Sequence, residues 1–164
     1  MLRNFAEVLA AAKRFGQTTI SVAAAQDKDV LLAVKMAQDN GLATPVLVGD
    51  ADVIRPLLAE VGLPADTRVV DEKDMDKAAL TAATLVGRGE AQVLMKGLLN
   101  TSDFLKAVLN AGAGLRTGRL LSHLAVFEVP GEPKLVFHSD GGMNVAPSLE
   151  GKKDILVNAM MALR

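Results

Sequence analysis

The sequence has 164 residues, enough for one domain with its own core but too few for two domains of ordinary size. Hydrophobic residues make up 50% of the chain and charged residues 23%, a composition typical of a folded globular protein rather than a disordered one. The net charge of −1 and the 3% of aromatic residues argue against binding to nucleic acid or to anionic membranes, and the lack of cysteine excludes disulfides, thiol nucleophiles and cysteine-bound metals.

The first segment, residues 1–16, predicts a helix because Leu2, Phe5, Val8 and Leu9 recur at helical spacing. An acidic residue and the lack of a continuous apolar stretch argue against a signal or transit peptide. No uncharged apolar run approaches the roughly 20 residues that a membrane span requires. We therefore expect a cytoplasmic protein.

The middle of the chain alternates short apolar runs with amphipathic ones. Strands are predicted at 18–24, 43–50, 67–71 and 91–97, and helices at 27–41, 51–62 and 73–89. Such alternation is typical of right-handed βαβ units, in which helices cover both faces of a mostly parallel sheet. The predicted fold class is therefore α/β, with a three-layer αβα architecture.

The last third of the chain has a different pattern. Residues 119–129 and 134–140 read as two strands separated by Pro-Gly-Glu-Pro, which predicts an antiparallel hairpin. A last helix, predicted from residue 150, reaches Arg164 without a stop signal. We therefore expect residues 1–164 to form a single domain, or part of a domain, of a longer protein.

The first candidate site is the segment 96–103, where a Lys-Gly turn and four small polar residues follow a predicted strand. Ligands of open α/β sheets lie beyond the carboxyl ends of the strands. Gly97 allows a close backbone turn, Lys96 offers a positive charge, and the helix amides with the Thr101 and Ser102 hydroxyls suit an anion. Lys106, one turn further, would add charge on the face of Ser102.

The same segment also suits an ordinary helix start. Asn100, Thr101 or Ser102 would then be the N-cap, and Asp103 would interact favourably with the helix dipole. Asp103 also disfavours a bare anion unless a cation offsets its charge. The residues by themselves leave both interpretations open.

The second candidate site is the segment 138–148, in which Asp140 is followed by Gly141, Gly142 and Asn144. Such a loop can hold a catalytic carboxylate or orient a phosphate. It can also be a plain turn into the last helix, with Asp140 bonded to its own backbone, and this is the commoner arrangement.

Two histidines and two arginines complete the candidates. His123 and His138 fall in the predicted hairpin strands, where a histidine is more often structural than catalytic, and no third residue at ligand spacing predicts a metal site. Arg116 and Arg119 would either bind a phosphate through two parallel hydrogen bonds or remain solvated loop charges.

Three consecutive segments, MKGLLNTSDFLKAVLN, GLRTGRLLSHLAVFEVP and KLVFHSDGGMNVAPSLEGKKDILVNA, resemble the phosphate acetyltransferase and phosphate butyryltransferase family, nearest its butyryltransferase branch. The opening VLAAAKRFGQTTISVAAAQDKDVLLAVKMAQDNGLATPVLVGD is similar to the first βαβ segment of that family. The resemblance implies direct transfer of an acyl group from acyl-CoA to phosphate without a resident cofactor. It also implies a fold similar to that of the isocitrate and isopropylmalate dehydrogenases.

Carried over by position, the resemblance places Asn100 to Asp103 on the phosphate side of the cleft. Lys106 stands where the acetyltransferase branch has an arginine. A lysine supplies the same positive charge but cannot form the two parallel hydrogen bonds of a guanidinium group. Asp140 becomes the candidate catalytic carboxylate. The expected substrate-binding residues are Lys96, Gly97, Asn100, Thr101, Ser102, Asp103, Lys106, Arg116 and Asn144.

Family enzymes continue for about as much chain again, and the serine and aspartate usually assigned to catalysis lie in that later part. We therefore expect an incomplete and inactive portion of an acyltransferase. An aliphatic chain with missing partners also predicts bare apolar surface and a homo-oligomer. The alternatives are a non-catalytic ligand-sensing or assembly module of the same fold, and a different α/β enzyme with Asp140 as its base.

Overall fold

The structure is a computed structural model that describes residues 2–164, so Met1, the first residue of the predicted opening helix, lies outside it. The chain divides into two compact units, which are described separately. The sheet unit is Lys13–Arg116, and the hairpin unit joins the residues up to Ala12 with Thr117–Arg164. The elements in chain order are α1 (Phe5–Arg14), β1 (Thr18–Ala23), α2 (Lys28–Asp39), β2 (Ala43–Gly49), α3 (Ala51–Val61), β3 (Arg68–Asp71), α4 (Met75–Gly87), β4 (Val93–Lys96), α5 (Thr101–Val108), β5 (Ala125–Phe127), β6 (Val136–His138) and α6 (Leu149–Ala162).

The sheet unit contains one four-stranded parallel sheet in the order β3-β2-β1-β4. Its strands carry the apolar runs of the sequence, and β2 is buried at almost every position. The prediction of an α/β fold with a mostly parallel sheet is confirmed. Because the order reverses at β1, the loops after β1 and β4 lie where ligands of such sheets bind.

Alternate residues of β1 point to opposite faces of the sheet, as the pleat requires. Val22 packs into a cluster with Leu31 and Leu47, supplied by α2 and β2. Its neighbour Ala23 belongs to a second cluster, which is rich in alanines of α4. Apolar helix faces therefore cover both sides of the sheet.

Aspartates begin three of the helices, because a carboxylate accepts an unpaired N–H of the first helical turn. Asp27, Asp50 and Asp74 are the N-caps of α2, α3 and α4, and each accepts a backbone N–H of its own helix. Gly62 ends α3 in the left-handed conformation with φ of 74°, which glycine adopts without steric cost. The predicted bounds of α2, α3 and α4 agree with the structure to within about two residues, whereas α1 begins only at Phe5 because residues 2–4 are not helical.

The hairpin unit contains β5 and β6, which pair in antiparallel fashion with Val126 opposite Phe137. The hairpin is confirmed, but each of its strands has only three residues. Residues 119–124, predicted as strand, are irregular, so His123 lies outside β5. The reason is that side chains of the hairpin unit occupy the backbone groups of this segment, as described below.

None of the helices formed by residues 2–164 has the length and apolar character that crossing a membrane requires.

Candidate functional site

The loop after β4 lies at the carboxyl edge of the sheet and continues the pairing with β1. Gly97 donates its N–H to the Ala23 carbonyl at 2.8 Å, and Leu98 donates to the Ala24 carbonyl at 2.8 Å. A side chain at position 97 would place its Cβ 2.3 Å from the Ala24 oxygen and 2.5 Å from the Ala23 oxygen. The close approach expected at Gly97 is therefore present, because only a residue without a Cβ fits against this backbone.

The residue on the other side of this contact was not anticipated from the sequence. Ala24 is fully buried and has a φ of 54°, in the region that non-glycine residues rarely adopt. Two residues further, the Gln26 side-chain oxygen is buried without a hydrogen-bond partner among the described residues. Conformations of this kind are held by the surrounding structure and cluster at functional sites. The sequence AAAQD carries no signal for either feature.

The start of α5 is formed by Asn100, which settles the choice among the three N-cap candidates. Asn100 has extended backbone angles, but its side chain makes no capping hydrogen bond. Its amide nitrogen instead lies 3.4 Å from Asp103 Oδ2. Thr101 and Ser102 follow in the first turn with exposed side chains. The N-terminal amides of α5 are therefore not capped by the Asn100 side chain, and they favour negative charge.

Both lysines of this site are engaged by groups of the protein. The Lys96 ammonium donates to the Leu99 carbonyl at 2.8 Å and to the Gly97 carbonyl at 3.3 Å. The Lys106 ammonium lies 2.7 Å from Asp103 Oδ1. The hydrogen bond from Lys106, and then that from Asn100, lowers the pKa of Asp103, while Asp103 raises the pKa of Lys106. Lys106, expected beside Ser102, is thus paired with Asp103.

An open cleft of about 520 Å³ adjoins this loop. Its lining combines the loop with the first turn of α4 and consists of Met75, Asp76, Lys96, Gly97, Leu98, Leu99, Asn100 and Asp103. A smaller cavity of about 250 Å³ shares Asp76 and Asp103 with it and also reaches Lys106. The cleft thus offers helix amides and the Lys96 ammonium beside the carboxylates of Asp76 and Asp103, and Lys106 lines the smaller cavity. An anion in the cleft would replace the carbonyl partners of Lys96.

Asp140, the candidate catalytic carboxylate, has both oxygens occupied within the hairpin unit. Oδ1 accepts the His123 backbone N–H at 2.8 Å, and Oδ2 accepts the Asn144 backbone N–H at 2.9 Å and its side-chain amide at 2.6 Å. The His123 N–H is the main cause that lowers the pKa of Asp140, and the two Asn144 donors add to it. A carboxylate with a lowered pKa is a weaker base and is therefore less suited to abstract a proton. The hydrogen bonds instead suit a structural role, in which Asp140 holds two loops together; we call this arrangement the Asp140 clasp.

Residues next to Asp140 add further hydrogen bonds between the same two loops. Asn144 donates from its side chain to the Leu121 carbonyl at 3.0 Å, and the Ser139 hydroxyl donates to the His123 carbonyl at 2.7 Å. A Cβ at Gly141 would lie 2.9 Å from His123 Nδ1, so a small residue is needed there. The structure therefore brings Asp140, Asn144 and His123 together, and their polar groups are hydrogen-bonded to one another.

Two residues of α6 that the sequence did not single out complete this arrangement. Asp154 Oδ2 accepts the Leu120 N–H at 3.1 Å. Asn158 donates from its side chain to the Leu120 carbonyl at 2.8 Å and to the Ser122 hydroxyl at 3.0 Å. The spacing of four residues, which places both on one face of an apolar helix, was the available signal. Asp154 and Asn158 take the backbone groups of Leu120, and Asp140, Asn144 and Ser139 take those of Leu121 and His123, so this segment does not extend β5.

The two arginine candidates fall in different units. Arg116 is an exposed residue near the end of the sheet unit. Arg119, also exposed, lines an open cleft of about 550 Å³ in the hairpin unit, together with Gly118, Asn144, Ser148 and Asp154. Two separate groups of candidates result: residues 96–106 with Arg116 in the sheet unit, and Arg119, Asp140 and Asn144 in the hairpin unit.

The sequence of this chain matches a known protein family and is similar to several of its members. The family described as Phosphate acetyl/butaryl transferase matches residues 64–164. The phosphate butyryltransferase of Clostridium beijerinckii is 42% identical over 162 residues, which are 98% of this chain and 54% of that protein. The phosphate butyryltransferase of Clostridium acetobutylicum is 42% identical over 161 residues, again 98% of this chain and 54% of that protein.

A solved structure is similar as well. A branched-chain phosphotransacylase from Enterococcus faecalis V583 superposes with a TM-score of 0.72 at 28% sequence identity, over 89% of this chain and 51% of that chain. The chain thus spans about half the length of the curated relatives that it matches.

Proposed function

This chain belongs to the phosphate acetyl/butaryl transferase family, and from that premise we propose that the whole protein transfers an acyl group between CoA and phosphate. The reaction would convert acyl-CoA and phosphate into acyl phosphate and CoA by direct transfer. The substrate preference would follow the butyryltransferase branch. We propose no resident cofactor, since CoA and phosphate are both substrates. The present chain would be the N-terminal portion of that enzyme.

The observation that carries this proposal is the 42% identity to two phosphate butyryltransferases across 98% of the chain. The β4–α5 loop supports it in chemical terms. It lies at the carboxyl edge of the parallel sheet and borders an open cleft. The free amides of α5 and the exposed Thr101 and Ser102 hydroxyls are suitable donors to a phosphate.

We assign the phosphate side of the site to this loop. Lys96, Gly97, Asn100, Thr101, Ser102, Asp103 and Lys106 would surround the anion, with Arg116 adding charge. On binding, Lys96 would exchange its loop carbonyls for phosphate oxygens. An ammonium gains more from a phosphate than from neutral carbonyls, so this exchange is favourable. Asp103 would keep Lys106 close to the loop.

Asp140 and Asn144 are the candidates that the hairpin unit contributes to the proposal. We keep Asp140 as a candidate catalytic carboxylate for the whole enzyme, although its hydrogen bonds favour a positioning role. Direct transfer needs a base at the CoA thiol and preorganised donors at the carbonyl oxygen, both held against one acyl group. We propose that the remaining half of the polypeptide supplies the parts of that arrangement missing here. This is why the 164-residue chain alone should be inactive.

Three broader features belong to the same proposal. The whole protein would have a three-layer fold similar to that of the isocitrate and isopropylmalate dehydrogenases. It would act in the cytoplasm. It would form a homo-oligomer, supported by exposed apolar side chains such as Phe127 and Phe137. Sedimentation showing a monomer at high concentration would contradict the last point.

The test is an assay of phosphate-dependent CoA release from butyryl-CoA and acetyl-CoA. It is run on the 164-residue chain and on the chain extended to its natural stop codon. We expect turnover only in the extended form. A reaction whose groups are not correctly positioned is slower by several powers of ten, and this is why we expect no activity from the 164-residue chain. An extended chain that binds CoA without turnover would favour the alternative of a non-catalytic module.

A further inference from the structure

The cleft beside the β4–α5 loop has an apolar wall as well as its charged and polar residues. Three of the side chains that line it are apolar, namely Met75, Leu98 and Leu99. Met75 begins α4, and the two leucines follow Gly97 in the loop. We call Met75, Leu98 and Leu99 the apolar wall. A phosphate ion has no apolar part, so the binding of phosphate at this loop gives the apolar wall no function.

Leu98 is the less packed leucine of the apolar wall. Its backbone N–H donates to the Ala24 carbonyl at 2.8 Å, which holds the main chain in place. Its side chain is 48% exposed and belongs to neither of the hydrophobic clusters formed by residues 2–164. Leu99, in contrast, packs against the cluster that contains the alanines of α4. Leu98 therefore presents an apolar surface, fixed at its backbone, to the occupant of the cleft.

The size and lining of the cleft suit a ligand larger than phosphate. Its volume of about 520 Å³ lies within the range of roughly 300–1,000 Å³ for small-molecule sites, which combine apolar walls with a few polar groups that fix orientation. Lys96 lines the same cleft as Leu98 and Met75. One ligand can therefore place an anionic group beside Lys96 and the helix amides, and an alkyl chain on the apolar wall.

We propose that Leu98 and Met75 bind the alkyl chain of the acyl group and so set the preference of the enzyme for acyl chain length. This inference rests on the proposed function, because the anionic end of the acyl phosphate would lie on the phosphate side of that site. A methylene group that moves from water onto an apolar surface improves affinity by up to about fourfold. A butyryl group has two methylene groups more than an acetyl group, so the apolar wall favours it by up to about fifteenfold.

The test is equilibrium binding of two acyl phosphate analogues to the whole protein, measured by isothermal titration calorimetry. The ligands are the β-ketophosphonate analogues of acetyl phosphate and butyryl phosphate, in which a methylene group replaces the bridging oxygen so that no acyl group can be transferred. They differ only in the length of the alkyl chain, so the ratio of their dissociation constants reports on the alkyl subsite. We expect the butyryl analogue to bind several-fold more tightly.

Substitutions of similar size identify the residues responsible. Leu98→Asn removes the apolar character of the side chain, so we expect the preference for the butyryl analogue to fall about fivefold, with little change for the acetyl analogue. Met75→Gln should act in the same direction. Leu109→Asn is the matched control, because Leu109 is 50% exposed, donates its backbone N–H to the Leu105 carbonyl and lies outside the lining of the cleft. It should leave the ratio unchanged.

The pantetheine arm of CoA is the competing occupant of the apolar wall. In that case Leu98→Asn would weaken acetyl-CoA and butyryl-CoA equally and leave the ratio of the two analogues unchanged, and this result would overturn the proposal. Equal affinities of the two analogues for the natural protein, or binding of neither analogue, would overturn it as well.

The proposal and the proposed function can fail separately. A protein that prefers the butyryl analogue and loses that preference in Leu98→Asn, but does not turn over acyl-CoA, would leave the alkyl subsite standing and remove the proposed function. Turnover of acyl-CoA with a chain-length preference that Leu98→Asn does not change would remove the alkyl subsite and leave the proposed function standing.

Discussion

The side-chain amide of Asn144 lies 2.6 Å from Asp140 Oδ2, and the Asn144 backbone N–H donates to the same oxygen at 2.9 Å. With the His123 N–H on Oδ1, the carboxylate joins the loop after β6 to the segment before β5. Because Asp140 accepts three hydrogen bonds from these two segments, its carboxylate stabilises their positions. This relationship decides how a substitution at Asp140 should be interpreted.

Replacing Asp140 separates a structural role from a catalytic one. In Asp140→Asn, an amide NH₂ replaces one acceptor and faces the N–H groups of His123 or Asn144, so we expect Tm to fall by about 3–6 °C. Differential scanning calorimetry measures the shift. Ser139→Ala, which removes one hydrogen bond to the His123 carbonyl, is the milder control. An unchanged Tm combined with lost turnover in the extended chain would instead identify Asp140 as a base.

The lowered pKa of Asp140 also predicts a pH dependence of stability. A carboxyl whose folded-state pKa lies below its ordinary value of 3.8 stabilises the fold fully above that value. Its contribution is lost as the pH falls through the lower folded-state pKa. The Tm difference between the natural chain and Asp140→Asn should therefore be constant from pH 7 to about pH 5 and shrink below about pH 4. A difference that grows on acidification would contradict the clasp.

Gly97 should tolerate no side chain. In Gly97→Ala the new Cβ would lie 2.3 Å and 2.5 Å from two backbone oxygens that cannot move away without breaking the β1–β4 pairing. We expect the free energy of unfolding to fall by about 3 kcal/mol or more, measured by urea denaturation. Gly16→Ala is the control, because no atom lies within 4 Å there and only its φ of 79° is unfavourable. That change should cost about 1 kcal/mol. Equal losses would rule out the close contact as the cause.

Phosphate binding should map to the loop at residues 96–103 when the chain is titrated and followed by NMR. Shifts confined to other loops would refute the assignment. Lys106→Met should weaken binding by about fivefold, because it removes a cation and leaves the Asp103 charge unpaired.

A reciprocal change at the same pair provides the control for that experiment. Asp103→Asn removes the negative charge and should strengthen phosphate binding, and high salt should reduce both effects. If neither variant changes the affinity, the Lys106–Asp103 pair is a solvated feature of the helix surface.

Much of the fold was readable from the sequence because its signals are local. Apolar runs of five to eight residues separated by amphipathic stretches predicted the parallel strands and their helices. The three consecutive segments that resemble the acyltransferase family were equally visible. These features depend on hydrophobic periodicity and capping, which act over a few neighbouring residues.

The candidate site was predictable as a place but not as an arrangement of charges. The sequence indicated the loop after β4 as a candidate, and in the structure that loop borders an open cleft. It did not indicate that Lys96 would bond to the Leu99 carbonyl or that Lys106 would pair with Asp103 rather than lie beside Ser102. Side-chain rotamers decide such pairings, and several partners lie within reach of one long side chain.

By itself, the sequence determined the type and order of the elements, the α/β class and the family of this protein. Only the tertiary structure decided that residues 120–123 form no strand, because Asp140, Asn144, Asp154 and Asn158 reach them from residues that are 17 to 38 positions away. It likewise decided that Ala24 adopts a positive φ against Gly97. Contacts between distant parts of the chain override local preference, and no periodic pattern records them.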